Sequence, residues 1–221
     1  MNFLNKYKNI KNIRFETFKF TLEEANKRNL KTIVETGVAR GKIKFFFFRK
    51  VNWKDGMSTL MFSEYSSLYK GQLHTCDIDK SNIEAAKKFC KKYSNFVTFY
   101  VENSLNFLKN FEKKIDLLYL DSLDGNIKGA EEHQLNEIKY AKNNLHKYSL
   151  ILLDDKLSKS KLSIEYLKSK NYKILKETDQ QILFSETVWS KKDLQEAHYF
   201  TKFIYITNYI FVIKFFIKKK I

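Results

Sequence analysis

The chain has 221 residues and a formal net charge of +16, with 41 Lys and Arg against 25 Asp and Glu, no proline and two cysteines. That length suits one α/β domain with a sizeable core plus appendages and leaves little room for two domains. Cys76 falls in an expected strand and Cys90 in an expected helix, which fits buried thiols in a reducing cytosol better than a disulfide framework, and neither a secretory signal nor metal-type cysteine spacing is expected from the sequence. The positive charge suits an anionic partner, whether nucleic acid, an acidic metabolite or a membrane face, or a lysine-rich solvated surface.

Residues 1–30 make an N-terminal segment, basic and aromatic up to residue 20, after which Thr21-Leu22-Glu23-Glu24 reads as the capped start of a helix to about Asn29. Thr32-Ile33-Val34 is a strand that feeds Glu35-Thr36-Gly37, and Gly41 follows. A second glycine turn, Asp55-Gly56-Met57-Ser58-Thr59, opens a helix to Tyr69 with Met57, Met61, Tyr65 and Leu68 on one face. Strand, glycine loop and helix start form a place where backbone and free N–H groups can approach a polar or charged cofactor. Glu35 stands at the strand end, either on that rim or capping the loop's own amides.

Between the two glycine turns lies Lys42 to Lys54, with Phe45-Phe46-Phe47-Phe48 among lysines and an arginine. Four successive phenylalanines cannot all be buried by a short amphipathic element, so the segment is a lid or substrate wall, a membrane-touching finger, a dimer contact, or an insertion packed on its own domain.

Next come a strand Gln72–Cys76 delivering Asp77, a helix capped by Ser81 or Asn82 and running to Tyr93, and a strand Phe96–Val101 delivering Glu102-Asn103-Ser104. A short helix carries Leu105 and Leu108. The continuous apolar run Ile115–Leu120, as expected of a central parallel strand, ends at Asp121. A helix over 129–146, a strand Leu150–Leu153 ending at Asp154-Asp155, a helix near 161–170 and a hairpin of Tyr172–Lys176 with Gln181–Phe184 complete the pattern. The alternation predicts a doubly wound, mostly parallel α/β sheet with an antiparallel finish. Parallel strands then bring Glu35, Asp77, Asn103, Asp121 and Asp154 to one rim.

With these residues in this order, residues 31–186 resemble a class I S-adenosylmethionine-dependent methyltransferase, and Gly56-Met57-Ser58-Thr59 resembles the Gly-x-Ser-Thr that opens the first helix of many small-molecule O-methyltransferases. The resemblance implies a seven-stranded Rossmann-like sheet with a C-terminal antiparallel hairpin. It implies that Glu35, Gly37 and Gly56, with Ser58 at the helix start, frame the methionine moiety of S-adenosylmethionine, and that Asp77 takes the ribose hydroxyls. Asn103 and Ser104 would meet the adenine edge, and Asp121 would lie beside the methyl group or substrate. The insert 42–54 leaves two registers for the second loop glycine, Gly41 or Gly56; Gly56 is preferred because Ser58-Thr59 then sits at the helix start.

An oxygen acceptor needs a base or a metal to help remove its proton. His133 is the candidate base, against the alternative of an exposed helix histidine. Asp121, Asp154 and Asp155 are hard oxygen ligands that could hold Mg²⁺, as in catechol-type relatives, although those carry Asp-Asn where this chain has Asp154-Asp155; the alternative is a solvated loop cap. The expected acceptor is a small-molecule or glycan-type metabolite. RNA is the alternative, but Asp121-Ser122-Leu123-Asp124 stands where amino-methylating nucleic-acid enzymes carry Asp/Asn-Pro-Pro-aromatic, and a chain without proline has no Pro-Cys for cytosine-5 chemistry.

The basic and aromatic tail 187–221 falls outside the resemblance. Its run Phe203 to Ile217, followed by Lys218-Lys219-Lys220, is short for a transmembrane helix and suits an interfacial helix or an oligomer contact. The expected location is therefore cytoplasmic, with peripheral membrane contact through 42–54 or 203–220 or homo-oligomerisation as the roles open to these segments. A non-catalytic membrane-peripheral module on the same fold is the competing reading.

Overall fold

A computed structural model describes residues 1–187 apart from Phe46. The tail expectations over 188–221 lie outside the described residues. Residues 1–187 form one compact unit.

The chain begins with a 3₁₀ turn, Asn2–Tyr7, and helix α1, Phe15–Lys27. The helix starts at Phe15, not Thr21. Phe15, Phe18, Leu22 and Ala25 recur at helical spacing and are all buried, so apolar periodicity outweighs the Thr21-x-x-Glu24 capping signal, and Thr21 sits buried in mid-helix. Leu4, Tyr7 and Phe18 share a cluster with Ile33, Leu73 and Tyr119. The N-terminal segment thus contributes Leu4, Tyr7, Phe15, Phe18, Leu22 and Ala25 to the core, while Ile10 stays exposed.

Strand β1 is Thr32–Thr36. The insert folds into a hairpin of its own, β2 (Lys42–Phe45) and β3 (Phe48–Val51), with Lys42 paired to Val51 and Phe45 to Phe48. At its tip Phe47 is 100% exposed. The rest follows as α2 (Ser58–Tyr69), β4 (Gln72–Asp77), α3 (Lys80–Phe89), β5 (Val97–Val101), α4 (Ser104–Lys109), β6 (Ile115–Leu120), α5 (Ala130–Ala141), β7 (Leu145–Leu153), α6 (Lys156–Lys159), α7 (Lys161–Ser169), β8 (Lys173–Glu177) and β9 (Ile182–Ser185). Asp79 caps α3 by accepting from the Ser81 N–H, so neither Ser81 nor Asn82 is the cap. The helix expected to reach 146 ends at Ala141, and β7 already begins at Leu145.

The main sheet has seven strands in the order β5-β4-β1-β6-β7-β9-β8, parallel from β5 through β7 and antiparallel at β9 and β8. The chain winds outward from β1 in both directions, so β1 and β6 flank the switch point, where a crevice opens at the strand C-termini. Alternation along β1 and β6 sends Ile33, Leu117 and Tyr119 to the face covered by α1 and α2. It sends Val34, Leu118 and Leu120 to the opposite face with Ile138 of α5. Glu35 shares the parity of Ile33 and so points beneath α2, which decides its role. Among the described residues, no helix is long and apolar enough to cross a membrane.

Candidate active site

The glycine loop is set by a close approach of β1 and β6. Gly37 has φ +81°, and a Cβ there would stand 2.2 Å from the Asp121 carbonyl oxygen. Its N–H donates to the Cys76 carbonyl at 2.8 Å, and the Asp121 N–H donates to the Thr36 carbonyl at 2.9 Å. Val38, Ala39 and Arg40 continue as one wall of the cleft.

Beneath that wall lies a polar knot. Glu35 is wholly buried and accepts from the hydroxyls of Ser58 (2.6 Å), Thr75 (2.7 Å) and Thr59 (2.8 Å). The Thr59 oxygen in turn accepts from the Ala39 N–H at 2.8 Å, so Glu35 fixes the loop through Thr59. Glu35 and Ser58, expected on the cofactor surface, are instead beneath it, because strand alternation turns Glu35 toward the start of α2. The glycine expectation also changes. Gly56 (φ +72°) ends the 3₁₀ turn Trp53–Asp55, and a Cβ there would meet Phe18 and Arg14. Gly41 (φ +73°) is pressed on the Phe89 ring. Neither lines the cleft, because the hairpin leaves the loop between them.

Burial pushes the Glu35 carboxyl up to about 7 from an ordinary 4.5, against the pull of the three hydroxyls. A raised folded-state pKa gives stability that is full below about pH 4.5 and lost as pH rises through about 7. The total across that window is roughly 3 kcal/mol. Urea unfolding at pH 5 and pH 8 is therefore expected to show the wild type weaker at pH 8 and Glu35→Gln losing less over the same interval. An unchanged pH dependence in the glutamine variant would sink this assignment.

On the other side of the loop, Asp77 ends β4. Its carboxylate accepts from the Asp79 N–H (2.8 Å), from Asn82 Nδ2 (3.3 Å to each oxygen) and from the Val38 N–H (3.4 Å). It borders two adjoining recesses. One is walled by Glu102, Asn103, Ser104 and His133. Asn103 caps α4 through its Oδ1, which accepts from the Leu105 N–H at 2.9 Å. His133 Nε2 lies 2.9 Å from Ser104 Oγ and 3.7 Å from the Glu137 carboxylate. The structure thus groups His133 with Asn103 and Ser104, not with the Asp121 cluster. The helical turn of α5 points it there.

The second recess is bordered by Asp55, Asp77, Asp79, Asp121 and Asp124, with Arg40 as the cation among its lining residues. Arg40 is itself paired with Asp55 at 3.2 Å. Asp121, Asp154 and Asp155 come together as expected, with ligand oxygens within 4.8 Å of one another. Two of the protein's own cations lie among them. Arg14 Nε spans both oxygens of the fully buried Asp154 at 2.7 and 2.8 Å, and its Nη2 reaches Asp155 at 3.0 Å. Lys159 Nζ donates to the Leu123 carbonyl (2.8 Å) and Asp121 Oδ1 (3.1 Å) and lies 3.3 Å from Asp155 Oδ2. This donor set does not fit a divalent ion, because Arg14 and Lys159 already stand among its oxygens.

Burial, then the Asp154 carboxylate, push the Asp121 carboxyl well above the usual carboxylate range, with Lys159 and Arg14 opposing. Burial pulls the Lys159 ammonium down, but Asp121, Asp155 and Asp154 outweigh it and hold its pKa above the ordinary lysine value. Sequence reading missed both cations. Arg14 is remote in the chain, whereas the spacing Asp155-x-x-x-Lys159 is an i,i+4 pair that could have been noticed.

A family model described as a methyltransferase domain matches residues 34–156, from β1 to the first residue of α6. The chain belongs to the class I S-adenosylmethionine-dependent methyltransferases. The methyltransferase shares its fold with a methyltransferase of Podospora anserina bound to S-adenosylhomocysteine, at TM-score 0.57 and 17% identity over 79% of each chain. A TDP-rhamnose 3′-O-methyltransferase of calicheamicin biosynthesis superposes at 0.54 with 14% identity, covering 78% of this chain and 80% of its own. An rRNA methylase from Streptococcus thermophilus does so at 0.50 with 8% identity, covering 77% and 96%. These likenesses are of fold. No curated protein matches the methyltransferase in sequence. Its methyl donor, S-adenosylmethionine, fits the cleft: the Gly37 wall admits close backbone approach, and the carboxylate border suits a cationic sulfonium.

Proposed function

We propose that this methyltransferase methylates a hydroxyl oxygen of a small, neutral or cationic acceptor, glycan-type metabolites included. One observation carries the reading: despite the chain's charge of +16, the cleft is bordered by five aspartates and one arginine that is already paired. A phosphodiester backbone would meet like charge there, whereas an uncharged polyol would find acceptors for its hydroxyls.

Bound in this cleft, S-adenosylmethionine supplies an electrophilic methyl on sulfur. Asp77 would accept the ribose hydroxyls and Asn103, Ser104 and His133 would wall the adenine, which makes His133 a binding residue in this reading and leaves the base to another group. Asp121 is the base. Its side chain keeps 30% of its surface open to the cleft. Tyr119 donates to its Oδ2 at 3.2 Å and Lys159 to its Oδ1 at 3.1 Å, which fixes the carboxylate while each oxygen retains a lone pair. With the donor bound, Asp121 would take the hydroxyl proton of an acceptor held beside it as that oxygen is methylated. The raised affinity of Asp121 for a proton favours that transfer.

RNA ribose methylation is the second reading, favoured by the net charge. Methyl-labelled donor offered with a panel of phenols and glycosides, and separately with total rRNA at low salt, separates the two. Label is expected in the small-molecule pool and lost in Asp121→Asn. Label in the RNA alone would replace the proposal with the RNA reading.

A further inference from the structure

Three carboxylates crowded at neighbouring strand ends are a natural seat for a hard cation. In this chain the seat is filled from within. We propose that Lys159, braced by Arg14, is the resident cation of the acceptor side of the cleft, standing where a divalent ion would otherwise bind and positioning the Asp121 carboxylate.

An ammonium has three N–H donors. Lys159 donates two of them, to the Leu123 carbonyl after β6 and to Asp121 at the end of β6, and is ion-paired with Asp155 after β7 at 3.3 Å. The side chain is 2% exposed, which keeps it out of reach of an acceptor molecule, and Lys159 acts through Asp121 as a positioning residue. A divalent ion needs oxygens at about 2.0–2.6 Å. It could gather Asp121, Asp155 and the Leu123 carbonyl only by displacing Nζ. The fourth oxygen source, Asp154, has both oxygens on Arg14 Nε. A divalent ion added beside Arg14 and Lys159 would also bring two further positive charges into a largely buried place that already holds two cations. The positioning role rests on Asp121 acting as the base, whereas the cation exclusion does not.

The test is calorimetric titration of Ca²⁺ and Mg²⁺ into the full-length wild type and Lys159→Ala, with Lys159→Met as a second variant should alanine fail to fold. The wild type is expected to bind neither ion below about millimolar. The variant, with two carboxylates and a carbonyl released, should gain about tenfold or more in Ca²⁺ affinity, since an ammonium-sized hole suits Ca²⁺ better than the smaller Mg²⁺. Submillimolar binding by the wild type that Asp155→Asn removes would overturn the proposal, as would a folded variant with no gain. Where turnover is measurable, kcat should fall about 10–100-fold in the variant at unchanged donor KM and recover partly in Lys159→Arg. Equal loss in both variants would overturn the positioning role. Loss of donor binding in every protein, wild type included, would speak against the cofactor reading and leave the cation result standing.

Discussion

Replacing Arg14 with methionine is expected to lower folding stability by about 3–5 kcal/mol, the range seen when one partner of a buried ion pair is removed. Asp154 is wholly buried, and both of its oxygens accept from Arg14 Nε. Methionine preserves much of the arginine stem, so the loss is chiefly that of the charge partner and not of packing. The guanidinium also ties α1 to the end of β7 and, through Asp155 and the Lys54 carbonyl, to the start of α6 and the turn before α2. Against a total stability of about 5–15 kcal/mol for a domain, this is a large fraction. Chemical denaturation of Arg14→Met, Asp154→Asn and the double variant checks it. The double variant should recover much of the loss, because no uncompensated charge then remains. A single-variant loss below about 1 kcal/mol would show that the pair is not the fastening described.

Gly37→Ala is expected to cost about 2–4 kcal/mol of stability, by adding left-handed backbone strain to overpacking. It is also expected to weaken donor binding by about 100-fold or more, since the strand ends that shape the cleft must move apart. The clash cannot be relieved by a flexible side chain. The new Cβ would lie 2.2 Å from the Asp121 carbonyl oxygen, 2.8 Å from its carbon and 3.1 Å from Ser122 Cα, all backbone. Gly129→Ala is the internal control. Its φ is +86°, but a Cβ there meets nothing within 4 Å, so the backbone cost should appear without loss of donor binding. Thermal melts and donor titrations of the two variants separate strain from site geometry. Normal donor affinity in folded Gly37→Ala would remove this glycine from the site.

What could be read from the chain alone was the part governed by local periodicity. Continuous apolar runs such as Ile115–Leu120 announced buried parallel strands, and parallel strands put Gly37, Asp77, Asn103 and Asp121 on one rim. Other features depended on direction or on distance along the chain. Glu35 was legible as a strand-end carboxylate, but its face follows from its parity with Ile33, a reading that alternation would have allowed. The start of α1 was obscured because a good capping box at Thr21 lies inside a longer apolar stripe. The first residues of β7, Leu145-His146-Lys147-Tyr148, are polar enough to continue a helix pattern, and β7 pairs with β6 at Leu145 and, after a register shift, from Leu150 onward. Arg14 was beyond local rules altogether, since its partner is 140 residues away. A sequence rich in lysine does not reveal which lysine is buried: the Asp155–Lys159 spacing was readable, but the place of Lys159 against Asp121 appears only once β6 and β7 are side by side.

The claim on which the rest depends is that the rim from Gly37 to Asp121 holds S-adenosylmethionine. Calorimetric titration of S-adenosylmethionine and S-adenosylhomocysteine into the intact protein should give a single site of roughly micromolar Kd, about −8 kcal/mol, for each. A protein that is folded by circular dichroism yet takes up neither ligand at about millimolar concentration would contradict it.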